Sequence, residues 1–209
     1  MGSDKSKAYW ENMANNIQNP GETTNKRSKE YLLNDIRFIK TYLEKDDVLL
    51  DVGAGSGLVV NELVDDVKEI IAVETFEGLT NFIHKDIFVI NAELPSFKVR
   101  KSFDKIIATG VLHFFPLKEA KRIYENIISM LSEGGTFVMR SHCGLTETVT
   151  VNGYSEELDS DYFSELRQID DEVALLKSLG FKTVEVIDEV ADELNVWPNS
   201  RHYYFICKK

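Results

Sequence analysis

Apolar residues follow two rhythms along this chain of 209 residues. Seven short apolar runs are bounded by polar, Gly or Pro residues and read as strands: 48–52, 70–73, 86–90, 103–115 with its exit loop, 136–140, 183–187 and 202–207. Stretches of helical spacing lie between them. Leu32, Ile36, Ile39 and Leu43 mark one face of a helix over 28–43, and Val60, Leu63 and Val64 mark another over 56–64. Ala120, Ile123, Ile127 and Met130 predict a helix over 116–131, and a fourth covers 170–179 before Gly180. The stretch 76–84 reads as a short helix or an irregular crossover. Alternating strands and helices predict a parallel sheet with helices on both faces. The run 202–207 follows 183–187 with no helix between, which predicts an antiparallel closing strand.

Two segments fit neither rhythm. Residues 1–27 are polar and broken by Asn, Pro20 and Gly21, with Tyr9 and Trp10 standing out. These aromatics either dock a terminal arm on the core or cap a ligand pocket and help exclude water. Residues 141–167 are rich in hydroxyls, aromatics and acids and exceed an ordinary connection. Ligands of open α/β sheets bind beyond the carboxyl ends of the strands, so this insertion reads as a substrate lid, or otherwise as a surface loop with a partly helical tail.

The chemistry concentrates where the first strand ends. Val48–Val52 runs into Gly53, Gly55 and Gly57, a junction that lets backbone approach a ligand without a Cβ in the way and presents free N–H groups. The next strand ends on Glu74, where an acid can accept hydrogen bonds from ribose hydroxyls. The dinucleotide fingerprint requires a small residue at position 58, where this chain has Leu58. That disfavours a nicotinamide-dependent oxidoreductase, the main alternative beside a non-catalytic cofactor-binding protein.

The run Asp51-Val-Gly53-Ala-Gly55-Ser-Gly57 resembles the first motif, D/E-x-G-x-G-x-G, of class I S-adenosylmethionine-dependent methyltransferases. Asn91-Ala92-Glu93-Leu94-Pro95 is similar to the family's G-D-A-x-x-L-P stretch with Asn91 in the Asp position, and 103–113 to its F-D-x-I-x-x-x-x-V-L-H stretch. The resemblance implies a Rossmann-like sheet of seven strands in a single domain over 1–209, with a cap or helix at 1–43 and the lid insertion at 141–167. It implies S-adenosylmethionine as cofactor, while the compact size and the absence of a nucleic-acid module favour as acceptor a small metabolite, anionic or sugar-like, methylated on oxygen or nitrogen. Asp51, Gly53, Ala54, Gly55 and Gly57 would cradle the cofactor's methionine part and Glu74 and Thr75 its ribose. Asn91 and Ala92 would meet the adenine ring, and Thr109 would pass beside the methionine end.

Around this frame, His113 and His142 follow central strands at their carboxyl ends and are candidate general bases. His84 and His202 fall away from that edge and read as structural. Arg140, Arg167 and Arg201 are candidates for an anionic acceptor, with Tyr9 and Trp10 beside them. Composition narrows the partners. A net charge of −11, from 35 acidic and 24 basic residues, repels phosphate backbones, so no nucleic acid is expected. Cys143 and Cys207 lie far apart, no His and carboxylate cluster suggests a metal, and no apolar run approaches the ~20 residues of a membrane span. A cytoplasmic monomer or homodimer is the expectation.

Overall fold

The computed structural model describes residues 2–23, 28–156, 160–195 and 197–209. A seven-stranded sheet dominates it, in spatial order β3-β2-β1-β4-β5-β9-β8. Its strands are β1 (Val48–Val52), β2 (Glu69–Glu74), β3 (Phe88–Asn91), β4 (Phe103–Thr109), β5 (Leu131–Gly144), β8 (Thr183–Ile187) and β9 (Ser200–Lys208). The first five are parallel, and β9 runs antiparallel to both β5 and β8. The closing strand is therefore antiparallel, as the missing helix predicts.

Side-chain alternation divides the core into two layers. Leu50, Ile106 and Phe137 face α4 (Leu117–Met130) and α5 (Ile169–Ser178), whose Ile123, Tyr124 and Leu176 are buried there. Leu49, Ile107 and Val138 face α2 (Ser28–Lys40) on the other side, against Phe38 and Ile39. The buried face of α2 runs through Asp35, Phe38 and Ile39, whereas Leu32 and Ile36 are only half-buried. The helix is thus rotated from the stripe its aliphatic residues predict. The rotation brings a carboxylate onto the sheet.

Three expectations change. The predicted helix over 56–64 is a series of turns with one 3-10 turn at Val60–Leu63. Val59, Val60 and Val64 are poor helix formers, and Asn61 ties the segment down, donating to the Phe82 carbonyl at 2.9 Å and accepting from the His84 backbone N–H at 2.8 Å. Residues 2–16, which show no period in sequence, form α1 (Gly2–Asn16). The described residues of the insertion over 141–167 contain no helix: β5 continues to Gly144, and β6 (Val149–Ser155) pairs with β7 (Ser160–Leu166) as a second sheet. Ser6 Oγ donates to the Phe163 carbonyl at 2.6 Å, which fastens α1 to this sheet. Gly78, in α3 (Glu77–Thr80), lets the Ala14 carbonyl come so close that a Cβ would clash with it.

Candidate active site

The glycine turn after β1 opens a cavity of about 850 Å³. Gly53, Gly55 and Gly57 all have positive φ, at 79°, 56° and 79°. Two of them are needed for different reasons. A Cβ on Gly53 would sit 2.6 Å from Val111 Cγ2, so the turn is pressed against the loop after β4. A Cβ on Gly55 would meet nothing within 4 Å, because this residue faces the open cavity. Glu74 holds the turn in place: its carboxylate accepts the Gly55 N–H at 2.8 Å and the Phe76 N–H at 3.0 Å.

Asp51, Gly53, Ala54, Gly55, Glu74, Thr75 and Thr109 all line the cavity. Gly57, Asn91 and Ala92 do not. Gly57 packs on Asn61 and Ile83. Asn91 is exposed and turns its amide back to the Glu74 carbonyl at 3.4 Å, while the Ala92 N–H donates to the same carbonyl at 3.1 Å. The wall beyond β3 is made by Glu93, Leu94, Pro95 and Ser96 instead.

Two buried carboxylates lie on the cavity wall. Asp51 is 2% exposed, and burial followed by repulsion from Glu74 raises its pKa to about 7. Burial also raises Glu74, against the lowering effect of its backbone donors. A carboxyl raised this way stabilises the ligand-free fold at low pH and loses that contribution as pH climbs through about 7. A ligand ammonium beside Asp51 has the opposite sign, since it requires the ionised acid. Affinity for a ligand that sets an ammonium beside Asp51 should therefore fall roughly tenfold from pH 8 to pH 6, with the slope flattened in Asp51→Asn. A flat profile in the wild-type chain, read by calorimetry, would exclude this role for Asp51.

The far end of the cavity is built from β4, β5, β9 and α2. His113 is buried, and its Nδ1 is the one buried side-chain polar atom without a partner among the described residues. Burial, then the nearby His142 and Arg140 charges, hold it well below 6.5. His142 is lowered to about 4 by burial and then Arg140, and its Nε2 meets Ser200 Oγ at 2.9 Å. Arg140 lines the cavity, with its Nε donating to both Asp35 oxygens at 2.7 and 2.9 Å. Both histidines are neutral at physiological pH, and the arginine charge is matched.

His202 corrects the sequence reading, because it lines this cavity. An antiparallel strand starts where its parallel neighbour ends, so the first residues of β9 lie at the ligand edge. His142 and His202 are register partners, and their rings stack at 4.1 Å. His84 is exposed and away from the cavity.

Arg167 and Arg201 also differ from their reading. Arg201 alternates to the face opposite His202 and pairs with Asp188 and Asp192 at 2.6 and 2.7 Å. Arg167 is buried behind the loop after β4, with its Nε on Glu172 at 2.6 Å and its other nitrogens on the Leu112 and Phe115 carbonyls. Neither lines the cavity.

Four aromatics on the cavity wall pack on one another. Tyr9 and Trp10 of α1, Phe114 of the loop after β4 and Tyr162 of β7 form a closed ring of edge contacts with centroids 5.2 to 6.3 Å apart. Lys7 of α1 pairs with Glu93, and both line the same cavity. Phe114, Tyr162, Tyr31, Asp35 and Trp197 had no motif to reveal them, since each is brought to the wall by tertiary packing.

Residues 50–139 match the family model described as a methyltransferase domain. No curated protein matches the chain. Among solved structures, the chain is similar to DhpI in its SAH complex, with a TM-score of 0.73 and 13% identity over 96% of this chain and 93% of that one. It is also similar to the glycopeptide N-methyltransferase MtfA, at TM-score 0.64 and 13% identity over 84% and 89% of the two chains. The N-methyltransferase NodS from Bradyrhizobium japonicum, in complex with SAH, has a TM-score of 0.61 and 14% identity over 88% of each chain.

Proposed function

We propose that this chain is a class I S-adenosylmethionine-dependent methyltransferase, a reading that its matched domain and its fold support, and that it methylates an oxygen or nitrogen of a small acceptor. The observation that carries the reading is one cavity, cradled at one end by the glycine turn and lined at the other by His113, His142, His202 and Arg140. Its volume of about 850 Å³ lies in the range of small-molecule sites, ~300–1,000 Å³. Asp51 and Glu74 suit a ligand that brings an ammonium and ribose hydroxyls, which fits S-adenosylmethionine.

When bound, the cofactor would supply a methyl carbon on a sulfonium, open to in-line attack by the acceptor with the thioether S-adenosylhomocysteine as leaving group. The chain's own residues bind, align and dry the site. Alignment alone can supply about 7–11 kcal/mol of such a barrier. His113 lines the cavity and is the candidate in this reading for taking a hydrogen bond or a proton from the acceptor, although its unpartnered Nδ1 is itself shut off from solvent. Its low basicity, shared with His142, suits an acceptor atom that needs little activation. An anionic metabolite meets that demand through an ionised oxygen, whereas the hydroxyl of a sugar-like metabolite would still need a base. Arg140 is the one candidate arginine on the cavity wall, and it reaches an anion only while sharing its charge with Asp35.

The helix α1 and the β6–β7 sheet act as cap and lid in this reading. Edge-to-face aromatic pairs contribute about 0.5–1.5 kcal/mol each, and Trp10 makes two of them. Trp10→Ala should raise the acceptor KM about tenfold and change cofactor affinity less; equal effects on both would argue against a cap over the acceptor. The function itself is tested by calorimetry with S-adenosylmethionine, S-adenosylhomocysteine and NAD, followed by an assay for S-adenosylhomocysteine formation with hydroxylated, anionic and amine acceptors. Binding of the first two without NAD, and turnover with an acceptor, is the expected result. Binding of NAD alone would overturn the reading.

A further inference from the structure

The starting point is a hydrogen bond whose direction is fixed by chemistry. Arg140 Nη1 lies 3.1 Å from His202 Nδ1. A guanidinium has no lone pair to offer and keeps its protons throughout the physiological range. Arg140 therefore donates, and His202 Nδ1 carries the lone pair. The ring proton of His202 is then on Nε2.

The lock is anchored from several sides. Arg140 is held by Asp35, and Asp35 accepts a second bond from the Tyr204 hydroxyl at 2.8 Å. The His202 backbone N–H donates to Asn195 Oδ1 at 2.8 Å. The ring is sandwiched between His142 at 4.1 Å and Tyr31 at 4.9 Å, and Arg140 lies over the same Tyr31 ring. Neither ring rotation nor a tautomer exchange is free in such a setting. Placing a proton on Nδ1 would set N–H against N–H.

His202 Nε2–H has no hydrogen-bond partner among the described residues, and it is not among the sealed atoms of the interior. His202 itself is on the cavity wall beside Arg140, His142 and Trp197. The site thus contains a donor of fixed direction next to a matched ion pair.

We propose that His202 is a specificity-determining hydrogen-bond donor of the acceptor compartment, oriented by the Asp35–Arg140 pair, and that it selects acceptors presenting an oxygen lone pair, a hydroxyl or carboxylate oxygen, over alkylammonium groups. This deepens the methyltransferase reading and rests on it for the word acceptor; the donor itself does not. An alkylammonium brings only N–H groups to Nε2–H and gains nothing there, and the neutral amine, the form that can be methylated, has a single lone pair that cannot serve both Nε2–H and the methyl group. An oxygen accepts the bond and leaves its other lone pairs for the methyl group.

The test is ring-nitrogen NMR of the full-length chain at neutral pH, with the His202 signals assigned by their loss in His202→Gln. The ligand-free and S-adenosylhomocysteine-loaded chains are both measured, with acetate and methylammonium as probes. His202 should be protonated on Nε2 alone, and acetate should shift that N–H while methylammonium does not. Acetate affinity should drop about tenfold in His202→Leu and stay within about threefold in His202→Gln, whose amide N–H lies near the Nε2 position. A proton on Nδ1, a shift with methylammonium, or equal acetate affinity in wild type and His202→Leu would each overturn the proposal. Calorimetry with S-adenosylhomocysteine on the same samples judges the methyltransferase reading separately, because the tautomer is read in the ligand-free chain.

Discussion

Glu74→Ala should weaken S-adenosylhomocysteine binding about tenfold to 150-fold while leaving the chain folded. The expected loss has two sources. A hydrogen bond to a carboxylate is worth about 1.5–3 kcal/mol, and the ribose hydroxyls would lose theirs. The same carboxylate accepts the N–H groups of Gly55 and Phe76, so the turn loses the group that fixes its shape before any ligand arrives. Burial raises Glu74, which means the fold itself gains little from the charge. Glu74→Gln separates the two parts. An amide oxygen can still accept from one N–H but offers the ribose a weaker acceptor, so this variant should fall between wild type and Glu74→Ala. Unchanged affinity in Glu74→Ala by calorimetry would remove the ribose role and leave Glu74 a structural acid.

Much of this frame is legible in the residues because local chemistry dictates it. The strand at Val48–Val52, the positive φ of Gly53, Gly55 and Gly57, and the acid at the end of β2 follow from apolar runs and glycine placement. Residues 56–64 misled because Val60, Leu63 and Val64 sit at helical spacing, yet valine-rich turns with a tethered Asn61 meet the same burial. The secondary structure of the two segments read as cap and lid was illegible for another reason. The helix α1 has a weakly patterned surface, and its position is fixed by distant partners: Ser6 on Phe163, Lys7 on Glu93 and Ala14 on Gly78.

The histidines and arginines show where reasoning along the chain needs the sheet. Strand alternation decides that Arg140, His142, His202 and Tyr204 share one face, with Arg201 and Cys143 on the other. The antiparallel direction of β9 was expected, and it already implied that residues 200–202 would lie at the ligand edge beside 142–144. Placing His202 away from that edge treated the last strand as though it were parallel. Asp35 carried no such signal. It appears in sequence as one more acid in a chain with 35, and only the rotation of α2 onto the sheet makes it the partner of Arg140.

Arg167→Met should cost about 3–5 kcal/mol of stability, the range for a buried ion pair that loses one partner. Glu172 is 1% exposed and receives Arg167 through both oxygens, at 2.6 and 3.2 Å, with the Tyr124 hydroxyl as its remaining neighbour. Without the guanidinium, that acid must stay charged and unpaired or take up a proton. The double variant Arg167→Met/Glu172→Gln should recover most of the loss in urea denaturation, because removing both charges spares the desolvation of either. Recovery of stability need not restore activity. Arg167 also donates to the Leu112 and Phe115 carbonyls at 3.2 and 3.1 Å, which bracket His113 and Phe114. In the double variant those carbonyls keep no guanidinium donor, so acceptor turnover should remain depressed while S-adenosylhomocysteine affinity returns toward wild type. Equal recovery of turnover and stability would mean that Arg167 serves the core alone. A persistent gap between them would place Arg167 as the residue that positions the His113 loop at the acceptor.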